Sequence, residues 1–229
     1  MVAPRSDALL LTRYGLREWL TATVVAALLG GLGLWLQWWW LIGVTAFLWL
    51  AFVAFFRDPL GRRPASAQPN DFTSPADGRI SAVLPIDHHA AVDGPALVVR
   101  IFLSVLNVHV NRMPCAGTVV DVQHTPGRYL DARTEESAKV NESNLLRLRR
   151  ADGLVIGVRQ VSGAIARRIV CRAEPGAQFA LGQRFGMIKF GSTTELILPR
   201  PDRARAHVQV GDRVVGGVTL LATLAGDRA

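Results

Sequence analysis

The chain has 229 residues, 50% of them hydrophobic and 19% charged, with a mean hydropathy of +0.24. These values exclude a disordered chain, a collagen-like repeat and a purely soluble protein, and they require the apolar excess to be concentrated somewhere. The formal charge is +8 and nearly all cations are arginine, with only Lys139 and Lys189 as lysines. A compositional preference for arginine explains that balance as well as attraction to an anionic phospholipid does. Nothing in the spacing of basic, aromatic or cysteine residues supports nucleic-acid binding.

Residues 19–56 form a run of 38 positions without Asp, Glu, Lys, Arg or His, and they hold all six tryptophans. As one helix the run would reach about 57 Å at ~1.5 Å per residue, against a hydrocarbon core of ~30 Å. Two helices fit better, about residues 20–36 and 39–56. The turn then falls near Gln37-Trp38-Trp39-Trp40, where indoles suit the headgroup interface. Arg5, Arg13 and Arg17 precede the pair, Arg57, Arg62 and Arg63 follow it, and the turn carries none. The positive-inside rule therefore puts residues 1–57 in the cell membrane as an anchor whose two ends, with all that follows, are cytoplasmic. A hairpin dipping into one leaflet is the alternative. A cleaved signal peptide is not, because the run far exceeds the apolar region of one.

Residues 58–75 contain Pro59, Pro64, Pro69 and Pro75 with little hydrophobic periodicity and read as a linker. From 76 to 229 the apolar runs are short and rich in Val and Ile: 79–84, 96–104, 118–122, 154–161, 164–171, 194–198 and 217–222. Turn signals such as Asp77-Gly78, Asp93-Gly94, Asp152-Gly153 and Gly211-Asp212 separate them. Only 135–149 reads as a helix of any length. The expected fold is therefore mainly β, a partly closed barrel or sandwich, preceded by an α-helical membrane hairpin. Cys115 and Cys171 stand alone with no CxxC and read as buried thiols.

Taken singly, the chemically suggestive residues are weak signals. Asp77 in Ser74-Pro75-Ala76-Asp77-Gly78 suits a turn, His109 follows a strand, and Gly191-Ser192-Thr193 suits a tight turn or a small anion nest. His88-His89 lacks the spacing of a metal site, and none is expected. Their order is more telling. The chain resembles phosphatidylserine decarboxylase in its short, membrane-anchored form, which includes archaetidylserine decarboxylase-like proteins. The resemblance is carried by Phe55-Phe56-Arg57-Asp58-Pro59, Ser74-Pro75-Ala76-Asp77-Gly78, Met113-Pro114-Cys115-Ala116-Gly117, Asn141-Glu142-Ser143-Asn144, Gln160-Val161-Ser162-Gly163 and Gly186-Met187-Ile188-Lys189-Phe190-Gly191-Ser192-Thr193.

The resemblance implies an enzyme that takes its cofactor, a pyruvoyl group, from its own chain. The Ser192 hydroxyl attacks the Gly191 carbonyl, and elimination and hydrolysis leave the pyruvoyl group at the start of residues 192–229 (the α chain), with residues 1–191 as an associated β chain. The amine of phosphatidylserine then condenses with that group, and loss of CO2 gives phosphatidylethanolamine. By similarity Asp77 orients His109, and His109 takes the proton of Ser192 and later protonates the carbanion. Longer relatives carry a second histidine where this chain has Arg112, which leaves open whether His109 performs both tasks. Arg112, Arg167 or Arg168 are candidates to pair with the anionic headgroup. Two rivals remain: a membrane-anchored serine hydrolase using the same residues, and a non-catalytic β-barrel binding module suggested by Val210-Gly211-Asp212-Arg213-Val214. Acyl-chain type and association into homo-oligomers are not readable.

Overall fold

A computed structural model describes residues 10–65, 68–164, 168–189 and 191–225. The chain divides between Leu60 and Gly61 into two compact units. In the first, a short 3-10 turn at Arg13–Gly15 leads into α1 (Leu16–Trp35), which packs against α2 (Trp39–Phe55). The helices are separated where Gln37 takes a positive φ of 58°. A polar link ties them, the Trp49 indole N–H donating to Thr23 Oγ1 at 3.0 Å. At their outer ends Leu11 and Arg57 form an antiparallel bridge. Large apolar side chains stay uncovered, among them Leu28 (70%), Trp35 (79%) and Phe47 (71%). The run Arg13–Trp35 is long and apolar enough to cross a bilayer by length and composition, and Trp39–Phe55 is a shorter apolar helix.

The second unit is built from short strands, as alternating Val- and Ile-rich runs between turn residues dictate. In order they are β1 (Asp71–Thr73), β2 (Gly78–His89), β3 (Gly94–Leu103), β4 (Val110–Arg112) and β5 (Gly117–Thr125). A single-turn helix α3 (Glu135–Val140) precedes β6 (Ser143–Arg149), β7 (Val155–Ser162), β8 (Ile169–Cys171), β9 (Gln178–Phe179) and β10 (Arg184–Ile188). The chain ends on β11 (Ser192–Pro199), β12 (Ala204–Ala206), β13 (Arg213–Val214) and β14 (Leu220–Leu224). Eight strands form one sheet, β13-β2-β3-β11-β7-β6-β5-β9, which curls into a half-barrel. Two three-stranded sheets, β1-β14-β12 and β4-β10-β8, accompany it.

Strand β11 lies inside the large sheet, with β3 on one side and β7 on the other, and it is buried over Ser192–Leu198. Its register is unbroken, with Ser192 opposite Leu103 and Ser162. Leu196 and Leu198 face the main core, with Ile101, Leu103, Leu146, Val158 and Phe185, while Ile197 faces a smaller cluster around Val98. Side chains alternate along a strand, so Ser192 and Thr194 point into the main core side.

The mainly β class with an apolar helical hairpin is as expected, and the local differences are instructive. Residues 135–149 are not one helix. Thr134 caps a single turn, its Oγ1 accepting from Ser137 N, and the helix stops at Asn141. Beyond it Asn144, Leu146 and Leu148 are buried while Arg147 and Arg149 are not, a period-two pattern that belongs to a strand. The run 164–171 yields strand only at Ile169–Cys171, and residues 165–167 lie outside the described residues. The stretch expected to be linker contributes β1, whose Phe72 is fully buried beneath the Arg150 guanidinium, 5.4 Å from the ring centroid. Neither cysteine is disulfide-bonded, and burial pushes the Cys115 thiol up to about 12, leaving it protonated and unreactive. Because Phe72 fills core space, Phe72→Ala should cost about 3–5 kcal/mol, seen as a lower thermal midpoint of the detergent-solubilised protein. A linker residue would shift it by less than about 0.5 kcal/mol.

Candidate active site

The residues around Ser192 are positioned by the first positions of β11 and by the segment leading into β4. Gly191 has φ +72°, in the left-handed region that a residue with a Cβ adopts only with strain. Among the described residues nothing lies within 4 Å of where its Cβ would be, so the glycine answers a backbone requirement. Ser192 follows as the first residue of β11, is fully buried, and its Oγ has no hydrogen-bond partner among the described residues. Leaving a buried hydroxyl unpaired costs about 1–3 kcal/mol, so it requires an explanation.

His109 supplies a basic nitrogen at Gly191. It is fully buried, and its backbone carbonyl accepts from Ile188 N at 3.3 Å, which fixes it against the end of β10. Its Nε2 accepts the Gly191 backbone N–H at 3.3 Å, and its Nδ1 lies 2.9 Å from the Asn107 carbonyl oxygen. A backbone amide can only donate and a carbonyl can only accept. The neutral ring therefore carries its proton on Nδ1 and presents an Nε2 lone pair toward the residue before Ser192.

Glycine at position 163 completes the cleavage region. A Cβ there would sit 2.4 Å from the Gly191 carbonyl oxygen and 3.1 Å from its carbon, so the backbone at the end of β7 packs directly onto the carbonyl that Ser192 would attack. The segment 130–134 covers the same place: Thr193 Oγ1 donates to the Ala132 carbonyl at 3.2 Å. Asn141 holds that segment, its Nδ2 donating to Leu130 O and Ser162 O and its Oδ1 accepting from Leu130 N, all within 2.9 Å. Sequence reasoning assigned no role to Gly163, Asn107 or Asn141. A glycine at the end of a strand carries no signal of which carbonyl it will meet.

Below the site a chain of buried amides runs inward. Asn144 Nδ2 donates to Gln160 Oε1 (3.2 Å), Gln160 Nε2 to Asn111 Oδ1 (2.8 Å), and Asn111 Nδ2 to Thr194 Oγ1 (3.1 Å). Buried charge lies on the opposite face of β11, where Glu195 accepts from Arg100 at 2.8 Å and Arg159 at 3.4 Å. The nearby His89 is pushed down by burial, against the pull of Glu195.

The structure does not bring Asp77 to His109. Its carboxylate accepts from Arg62 at 2.5 and 2.9 Å and from the Gly216 N–H at 2.8 Å. The position an orienting carboxylate would occupy, at His109 Nδ1, is filled by the Asn107 carbonyl. Arg112 is also turned elsewhere. Its Nη1 donates to Gly182 O at 3.2 Å, and its Cδ packs where a Cβ on Gly217 would be. Arg168 is exposed, and Arg167 lies outside the described residues.

A cavity of about 380 Å³ reaches Gly191 from the surface, walled by Phe102, Val105, Ala132 and Ala164, with Asp131 and Arg133 at its polar side. Asp131 is held at about 2, chiefly by the side-chain hydrogen bonds of Arg133, the closer of which is 2.5 Å, and then by the Arg133 backbone N–H. Arginine is the stronger cation for it. No group of three or more metal-ligating side chains occurs among the described residues.

A left-handed glycine, a buried serine with an unpaired hydroxyl and a neutral histidine lone pair alongside are the parts that a self-cleaving precursor requires. A family model, phosphatidylserine decarboxylase, matches residues 48–222, and the chain belongs to that family. It is 43% identical over 212 residues to a phosphatidylserine decarboxylase proenzyme from Gluconacetobacter diazotrophicus, covering 91% of this chain and 92% of that one. It is 39% identical over 219 residues to one from Rhodopirellula baltica, covering 94% and 89%. A third, from Ralstonia nicotianae, is 43% identical over 202 residues and 88% of each chain.

The contact of Gly163 with the Gly191 carbonyl gives a direct test. Gly163→Ala should leave the strands in place but displace the carbonyl, and misplacement by about 1 Å costs on the order of 10²-fold in rate. Pulse-chase gels should show the uncut 229-residue precursor persisting. Processing at the wild-type rate would mean that this packing is unimportant.

Proposed function

We propose that the precursor cuts itself between Gly191 and Ser192, and that the product decarboxylates phosphatidylserine to phosphatidylethanolamine and CO2. The observation that carries this reading is the buried, unpartnered Ser192 hydroxyl directly after a left-handed glycine whose N–H the His109 lone pair accepts. For His109 to accept the Ser192 proton, its Nε2 must exchange the Gly191 N–H for the Ser192 hydroxyl, while its Nδ1–H remains anchored on the Asn107 carbonyl. Ser192 Oγ bonds to the Gly191 carbonyl carbon, the bond from that carbon to the Ser192 nitrogen breaks, and the nitrogen takes up the proton. An ester replaces the amide. Such attack within one chain benefits from effective molarities on the order of 10⁵–10⁸ M, so no outside protease is needed.

The family is pyruvoyl-dependent, the group deriving from the serine at the cleavage point. The site fits it, because the residue to be converted is fully buried and the residue before it donates its N–H to His109. The group supplies a carbonyl conjugated with an amide, a sink for the electrons that a departing carboxylate leaves behind. The contact of His109 with the Gly191 N–H supports it as the group that returns a proton in that second reaction, while Arg112 donates to Gly182 O. Asp77 enters as a positioning residue that holds Arg62 and the Gly216 backbone.

Cleavage before β11 would not separate the products. Residues 192–199 pair with 96–103 on one side and 157–162 on the other, so residues 192–229 keep an interior strand of a sheet whose other strands, apart from the edge strand β13, come from residues 1–191. The full burial of Ser192 argues against a hydrolase, since an outside substrate cannot reach that hydroxyl in the uncut chain. The apolar helices and the arginines flanking them support a membrane hairpin with the β unit on the cytoplasmic side.

Release of labelled CO2 from carboxyl-labelled phosphatidylserine tests the reading. Ser192→Ala should remain a single chain and release none. His109→Ala should slow precursor cleavage by roughly 10²–10⁴-fold, the usual contribution of a general base. CO2 release by Ser192→Ala would overturn the proposal, and normal cleavage by His109→Ala would remove His109 as the base.

A further inference from the structure

We infer that the turn at residues 104–107 is a bilayer-contacting element, whose Leu106 tip enters the phospholipid surface so that a lipid passes from it into the cavity ending at Gly191. The inference rests on the decarboxylase reading for the identity of that lipid. After Leu103, the buried last residue of β3, the chain emerges at Val105, 46% exposed, and Leu106, 80% exposed. One exposed leucine needs no explanation by itself. Its setting does.

The turn is braced rather than loose. Asn107 Oδ1 accepts from Ser104 N at 2.9 Å and from Ser104 Oγ at 2.8 Å, and Asn107 N donates to Ser104 O at 2.9 Å. An exposed apolar tip is thus carried on a turn braced by three hydrogen bonds, when a polar residue would satisfy water without cost. Val105, the neighbour of Leu106, lines the cavity that reaches Gly191. The wall it shares with Phe102, Ala132 and Ala164 is apolar, which suits the glycerol and first acyl carbons of a lipid better than a free amino acid. The Asp131–Arg133 pair on the same cavity supplies both charges for a headgroup that carries both. The base of the turn also touches the chemistry, since the Asn107 carbonyl holds His109 Nδ1. One short segment therefore joins the surface tip, the cavity wall and the histidine.

Burying a leucine side chain in an apolar phase is worth about a tenfold change in an equilibrium, or somewhat more. The full chain is compared on two substrates. One is phosphatidylserine in reconstituted phosphatidylcholine vesicles; the other is dihexanoyl phosphatidylserine, monomeric and water-soluble, given to the detergent-solubilised protein. Leu106→Ser should cleave normally, keep the wild-type rate on the monomeric lipid, and lose about tenfold in kcat/KM on the vesicle lipid. Leu106→Trp, with more interfacial affinity, should keep or raise the vesicle rate and carries the test if the serine variant is not processed. Equal rates on both substrates, or equal losses on both, would overturn the inference. A dimer lost from Leu106→Ser with equal losses would place a second copy on the turn and overturn it too. Failure of the wild type to release CO2 from either lipid would instead refute the decarboxylase reading.

Discussion

A serine hydroxyl enclosed without a hydrogen-bond partner is the constraint around which this chain is arranged. Folding strips Ser192 of water and gives its oxygen nothing in return among the described residues, at a cost of about 1–3 kcal/mol. The residue before it is held at positive φ, which only glycine adopts without strain. The unpaired hydroxyl raises the energy of the uncut chain at the bond the family is expected to break, while the glycine lets the backbone turn there without strain. That cost is tolerated because β11 is held along its length by two neighbours and cannot relax by sliding.

The same placement resolves what would otherwise be a contradiction, a protein that severs its own core strand. The proposed break would fall at the strand's first residue, so the ladder from Thr193 to Pro199 would survive it. Polar groups near the cut are satisfied by fixed partners: Asn141 ties the covering segment to Ser162, and the Asn144–Gln160–Asn111–Thr194 chain fills the interior below. Buried networks of this kind hold a geometry because leaving any member unpaired is costly. His109 is likewise set by backbone atoms, the Asn107 carbonyl and the Gly191 amide, so its tautomer follows from the fold without a carboxylate.

Much of this was legible in the sequence, and unevenly so. The apolar hairpin stood out because charge is absent over 38 residues, and the β class because short Val- and Ile-rich runs alternate with turn residues. Ser192 and His109 were reached through ordered motifs, and the structure brings their segments together. Asp77 was expected at His109, but a spacing of residues does not reveal that Arg62 will occupy its carboxylate. Residues 143–149 read as helix because leucines and arginines favour one; their true signal was the alternation of Leu146 and Leu148 with Arg147 and Arg149. The proline-rich stretch concealed Phe72, a single core residue in a three-residue strand too short for any periodicity. Gly163 was hidden for a different reason: its importance lies in a contact with residue 191, and no local pattern encodes a close approach across the sheet.

The account stands on the fate of Ser192, and intact mass spectrometry of the purified protein reads it directly. Two chains are predicted, residues 1–191 and residues 192–229. The smaller should be lighter, by the mass of one ammonia, than the same fragment beginning with serine, as conversion to a pyruvoyl group requires. A single 229-residue chain with an unmodified Ser192 would contradict the account.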